Sequence, residues 1–258
     1  MLAREVAQDI LSLLPAQLEE PSFALVGVGG AGINVLMEVN DEVPLRRITV
    51  DTDEYFLALC GRDQQLDLGR PLLEGKGTGG EIELGRSAAM LHRAEIDDCL
   101  GEDILLLVAG LGRGTGTGAA PVVASIAKEK GLPVLAFLIW PFKDERTVTK
   151  AGKGLAALKP HCDALLVLDN SAALEVGGVD THREAATLVN TMMAQMVERL
   201  VERISEAFPF SVHEEITNFV EGLPTANEKM PLKAAELAFE NEVFAPIAMD
   251  RRGIIELR

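Results

Sequence analysis

The stretch VAGLGRGTGTGAAPVVA, Val108 to Ala124, places five glycines and two threonines between an apolar run and a proline-started helical pattern. Ordered glycine is entropically costly, so such a run belongs where the chain turns tightly or where another group approaches the backbone closely. In open parallel α/β sheets that place is the strand-to-helix turn, where loop amides and helix N-termini converge on a ligand beyond the carboxyl ends of the strands.

The rest of the chain supplies the sheet. SFALVGVGGAGINVLMEV reads as a buried strand, a glycine turn and a helix; RRITVDTD is a strand ending in acids; DILLLVAGLG is the most apolar strand. A helix is predicted from about Pro121 to Lys130. LPVLAFLIWPF and CDALLVLDN are two more strands separated by the helical RTVTKAGKGLAALKP, and a long amphipathic helix runs from about Thr181 to Glu206. Continuous apolar strands alternating with helices imply a parallel sheet covered on both faces. The predicted organisation is an amphipathic N-terminal helix (1–21), an α/β domain (22–180), a central helix (181–207) and a divergent C-terminal segment (208–258).

Three glycine loops lie at such turns: GVGGAG (Gly27 to Gly32), GKGTGG (Gly75 to Gly80) and GLGRGTGTG (Gly110 to Gly118). Three loops at one sheet edge suggest a polyphosphate wrapped from several sides, each charge-assisted amide contact being worth roughly 1.5–3 kcal/mol. The formal net charge of −16 over 258 residues argues against a nucleic-acid or anionic-membrane surface, so an anion must be held by backbone amides and helix ends. No GxxxxGK[ST] is present. Cys60, Cys99 and Cys162 form no CxxC pair and the four histidines are scattered, so no metal site is expected and the chain reads as reduced and cytoplasmic. The longest apolar runs are of strand length, so no transmembrane segment is expected. GVGGAG also spells GxGxxG, and Asp51 and Asp53 stand where a dinucleotide fold places a ribose-binding acid. The third glycine loop is the feature such a fold does not require.

GLGRGTGTGAAPVVA resembles the glycine-rich signature of the tubulin/FtsZ superfamily. The likeness to the FtsZ branch continues through GVGGAGIN, VDTDEYFLAL, GKGTGGEIELGRSAA, LPVLAFLIWPF, LKPHCDALLVLDN and LVNTMM, in the family's order from Phe23 to Ile204. The resemblance implies a three-layer, doubly wound α/β fold with a vestigial C-terminal segment, binding GTP or GDP, with Mg2+ accompanying the triphosphate. It implies that Gly29, Gly30, Ala31 and Asn34 contact phosphate and nucleotide. Gly77, Thr78, Gly79 and Gly80 would sense the γ-phosphate, and Gly112, Arg113, Gly114, Thr115, Gly116 and Thr117 would wrap the diphosphate. Glu145 matches a ribose-binding glutamate, with a helix-starting acid as the plainer reading. Asn170 and Asn190 match residues that contact base or ribose.

The departures are as informative. Arg113 stands where the family has glycine, as a phosphate clamp or as a side chain pointing to solvent. Thr191 replaces the aspartate after Asn190, Ala186 the aromatic that stacks on the base, and Thr149 an arginine. The family's acidic catalytic loop, which acts on the nucleotide of a neighbouring subunit, corresponds here to PFSVHEEITNF. Glu215 and then Glu214 are its candidate catalytic acids in trans, or else ordinary first-turn helix acids favoured by the dipole. The residues from LKAAELAFENEVF onward resemble only the start of the family's second domain, too little to bury a core of their own. They would pack on the nucleotide domain, on a partner or on another copy. Two functions follow from the resemblance: a GTP-binding protein that assembles head to tail with slow or partner-dependent hydrolysis, or a non-hydrolysing nucleotide-sensing scaffold that partners another FtsZ-like protein.

Overall fold

The computed structural model describes residues 21–60, 64–143, 147–175, 178–207 and 254–255. The N-terminal helix expected over 1–21, Glu145, Glu214, Glu215 and nearly all of the C-terminal segment lie outside the described residues.

Seven parallel strands form one sheet in the order β3-β2-β1-β4-β5-β6-β7. They are β1 (Phe23–Val28), β2 (Arg46–Asp51), β3 (Gln64–Asp67), β4 (Ile104–Gly110), β5 (Val134–Trp140), β6 (Ala164–Asp169) and β7 (Ile254–Ile255). The helices are α1 (Gly29–Glu38), α2 (Glu54–Leu59), α3 (Ile82–Leu91), α4 (Arg93–Cys99), α5 (Gly114–Glu129), α6 (Val148–Leu158), α7 (Asn170–Ala173) and α8 (His182–Ala207).

Strand side chains alternate between faces, and both faces are buried. Leu25, Leu106, Phe137 and Leu168 join Val35 and Leu36 of α1 and Val189, Met193, Met196 and Leu200 of α8 in one core. Val26, Leu107, Leu138 and Val167 join Ala88 of α3, Ile96 of α4, Val123 and Ile126 of α5 and Ala151 and Leu158 of α6 in the other. The result is three layers. Since β1 leads away to β2 on one side and β4 to β5 on the other, a crevice opens at the carboxyl ends of β1 and β4.

The structure differs from the sequence reading in three places. The helix predicted to begin at Pro121 begins at Gly114, with Pro121 inside it, so the glycine signature is the helix's first turns rather than a preceding loop. Helix α2 and strand β3 were not anticipated; β3 is a polar edge strand in which only Leu66 is buried, so it carries no apolar run to announce it. Ile254 and Ile255 pair with Leu165 and Leu166, extending the sheet past β6.

Alternate glycines let α5 press against its surroundings. A Cβ on Gly118 would lie 2.2 Å from the Ile82 carbonyl oxygen and 2.7 Å from the Arg86 amide nitrogen, both backbone atoms of α3. Neither can be relieved by a rotamer change. Gly118→Val should therefore force α3 and α5 apart, costing about 1–3 kcal/mol or more and lowering the melting temperature by several degrees. Gly152→Ala in α6, where a Cβ meets nothing within 4 Å, should raise it slightly in the same thermal scans.

Candidate functional site

The crevice is floored by two helix N-termini that bring no cap of their own. Val28 precedes α1 and Arg113 precedes α5, both extended, with no side-chain cap and no acidic residue in either first turn. Side-chain caps close α2, α7 and α8, whereas α3, α4 and α6 start without one, as α1 and α5 do. Asp53 Oδ1 accepts from the Tyr55 amide at α2, Asp169 Oδ1 from the Ser171 amide at α7, and Thr181 and Glu184 exchange bonds at the start of α8. What distinguishes α1 and α5 is that both start in glycine with no acid in the first turn, so their first amides meet no carboxylate of their own.

The two ends abut. Gly29 has φ 75°, and a Cβ there would lie 2.9 Å from the Gly116 amide nitrogen. A Cβ on Gly116 would lie 2.2 Å from the Gly110 carbonyl oxygen, and one on Gly114 2.0 Å from Thr78 Oγ1. The third glycine loop thus touches both the first and the second, with Ala31 pressed against Gly110. Gly112 needs its glycine twice over, for φ 100° and for Thr147 beside it. Arg113 needs none, since its backbone is extended at φ −109° and its side chain is exposed.

The threonine hydroxyls are turned toward the protein. Thr117 Oγ1 accepts from the Gly112 amide at 2.8 Å and closes the turn, while Thr115 Oγ1 lies 2.7 Å from Thr52 Oγ1 in a buried contact. Gly77, Gly79 and Gly80 all have positive φ, and the Gly77 amide donates to the Thr52 carbonyl at 3.0 Å. Asn34 lies half-buried on α1, and Asn190, Thr191 and Ala186 half-buried on α8. Asn170 opens α7 at the end of β6, and its buried Oδ1 has no partner among the described residues. Thr149 is exposed.

Asp51 enters the site in a role the sequence did not assign it. It is 2% exposed at the end of β2, and its Oδ1 accepts from the Thr52 amide at 2.6 Å and the Asp53 amide at 3.2 Å. Its Oδ2 has no partner among the described residues. Burial pushes this carboxyl up to about 6, against the lowering effect of those amides and of the Thr115 hydroxyl. A surface ribose ligand of a dinucleotide fold would not be so enclosed.

Three comparisons bear on the site. Residues 22–178 match the model of the tubulin/FtsZ family, GTPase domain. The cell division protein FtsZ 2 of Methanocaldococcus jannaschii is 34% identical over 216 residues, covering 80% of this chain and 57% of the relative, so the chain spans little more than half that protein's length. Among solved structures, the empty FtsZ dimer of M. jannaschii superposes with a TM-score of 0.68 at 32% identity, over 77% of this chain and 59% of that one. CetZ2 from Haloferax volcanii, a GTPγS-bound protofilament, superposes with 0.65 at 26% identity, over 74% and 61%.

Because the folded Asp51 carboxyl titrates near 6 rather than its ordinary 3.8, folding favours its protonated form. That stability is complete below about pH 4 and is lost as the pH rises through 6. Asp51→Asn keeps the shape without the charge. It should stabilise the ligand-free protein by up to about 3 kcal/mol at pH 7 and by nothing at pH 4, read from urea unfolding at the two values.

Proposed function

The chain belongs to the tubulin/FtsZ family, and from that premise we propose that the crevice between β1 and β4 holds GTP or GDP and that nucleotide binding drives head-to-tail association, with slow or partner-dependent hydrolysis. The observation that carries this reading is the meeting of two uncapped glycine helix starts, Gly29 against Gly116. The amides of Gly29 to Ala31 and Gly114 to Gly116 would hold the diphosphate, and the Gly77–Gly80 segment, whose Gly77 amide is already bonded to the Thr52 carbonyl, would meet the terminal phosphate through the amides of Thr78 and Gly79. The buried orphan acceptor of Asn170 suits a ligand donor from ribose or base. A Mg2+ ion accompanying the triphosphate belongs to this reading, although among the described residues no three His, Cys, Asp or Glu side chains gather.

Base recognition is altered in this chain. Asn190 remains, while Thr191 offers one hydroxyl where a carboxylate would accept two hydrogen bonds, and Ala186 offers no ring. Losing such polar recognition costs on the order of 1–3 kcal/mol. GTP should therefore still be preferred, but by less than about a thousandfold over ATP, roughly 4 kcal/mol. Competition titrations decide it, and a larger preference would mean that other groups read the base.

Longitudinal contacts in this reading join the nucleotide face of one copy to the loop after α8 of the next, a heterologous arrangement that propagates. With SVHEE in that loop, Glu215 is the first candidate to position the attacking water on the neighbour's nucleotide, and Glu214 the second. The non-hydrolysing scaffold is the competing reading, favoured by the same broken acidic motif. A mixing experiment separates them. Glu215→Gln and a Gly116→Val subunit unable to bind nucleotide should each be inactive alone and regain phosphate release together; full activity of Glu215→Gln by itself would remove Glu215 from catalysis.

A further inference from the structure

Lys150 stands in the first turn of α6, and its ammonium crosses to the second glycine loop, 70 residues earlier in the chain. Nζ donates to the Gly80 carbonyl at 2.6 Å and lies 3.4 Å from a Glu81 carboxylate oxygen. The Glu81 pairing, between partly exposed groups, contributes little. The bond to the carbonyl is charge-assisted and partly buried, hence the stronger of the two.

The loop has few other holds at that point. Gly79 and Gly80 have φ of 60° and 87°, and a Cβ on either would meet nothing within 4 Å, so neither side chain nor packing fixes their peptides. The Gly80 amide donates only to Thr78 Oγ1 at 3.3 Å, and the Glu81 amide to the Thr78 carbonyl at 3.1 Å, both within the loop. Glycine peptides without a steric preference reorient readily. A carbonyl held from outside does not. The helix that supplies the lysine is firmly seated, since a Cβ on Gly154 would lie 2.4 Å from Thr117 Cγ2, in the first turn of α5.

We propose that Lys150 is a positioning residue for the terminal phosphate. Its bond to the Gly80 carbonyl holds the Gly77–Gly80 amides in place before nucleotide arrives, and so sets the preference for triphosphate over diphosphate. The inference rests on the phosphate-cradle reading and adds to it a residue from a different helix, which neither phosphate needs to touch.

The test measures dissociation constants of the full chain for GTPγS and for GDP, in wild type, Lys150→Met and Lys150→Arg. Methionine keeps the length and apolar stem of lysine without the donor. Loss of one charge-assisted bond predicts that Lys150→Met weakens GTPγS about tenfold while GDP stays within about twofold, and that Lys150→Arg recovers most of the difference. Amide hydrogen exchange over residues 79–82 should quicken in the methionine variant alone. Equal weakening of both nucleotides would overturn the tether and reduce Lys150 to a structural prop, and unchanged affinity for both would overturn it outright; in either case the cradle reading stands. Failure of the wild type to bind either nucleotide would overturn the cradle, and the tether's role with it.

Discussion

Everything at the ligand edge of this molecule depends on backbone lying against backbone at the start of α5. Gly114, Gly116 and Gly118 face Thr78, the Gly110 carbonyl and the Ile82 carbonyl at separations that leave no room for a methyl group. Those contacts fix where α5 begins and how it sits on α3 and β4. They also bring its first amides beside those of α1. Two helix dipoles then point into one crevice, each contributing about half a positive charge. A chain carrying a formal charge of −16 thereby gathers partial positive charge at this edge from its backbone.

The same edge carries an electrostatic tension. Asp51 buries a carboxyl next to Thr52 and Thr115, directly beneath the proposed diphosphate loop, and burial outweighs the amides that favour its charge. Around it the hydroxyls of Thr115 and Thr117 are committed to the protein, one to Thr52 and one to the Gly112 amide. The threonine hydroxyls of the signature therefore build the shape of the loop. Strand order alone would not have distinguished this arrangement from a dinucleotide fold, which shares the sequence 3-2-1-4-5-6. The third glycine loop, which touches both of the others, does.

What sets this chain apart within its family lies at the two ends of the proposed site. At the proposed base end stand Asn190, Thr191 and Ala186, and at the proposed γ-phosphate end the glycines of the second loop carry a lysine bond from α6. Arg113 replaces a glycine at no backbone cost because the turn is extended there.

The sequence by itself determined the layers and pointed to the edge proposed as the site. Period-free apolar runs such as ILLLVAG demand burial on both faces, and glycine clusters at their ends demand a ligand edge, because these are local consequences of side-chain chemistry. Elements without such a signal escaped it: β3 (Gln64–Asp67) has one buried residue, and the true start of α5 was hidden because glycine reads as a helix breaker until packing overrides it. Only the tertiary structure decided why each glycine is there, whether a hydroxyl faces ligand or protein, that Asp51 is enclosed, and that Lys150 reaches Gly80. Each of those depends on groups far apart in the chain meeting within bonding distance, and no local pattern encodes which surface of one helix will press on which turn of another.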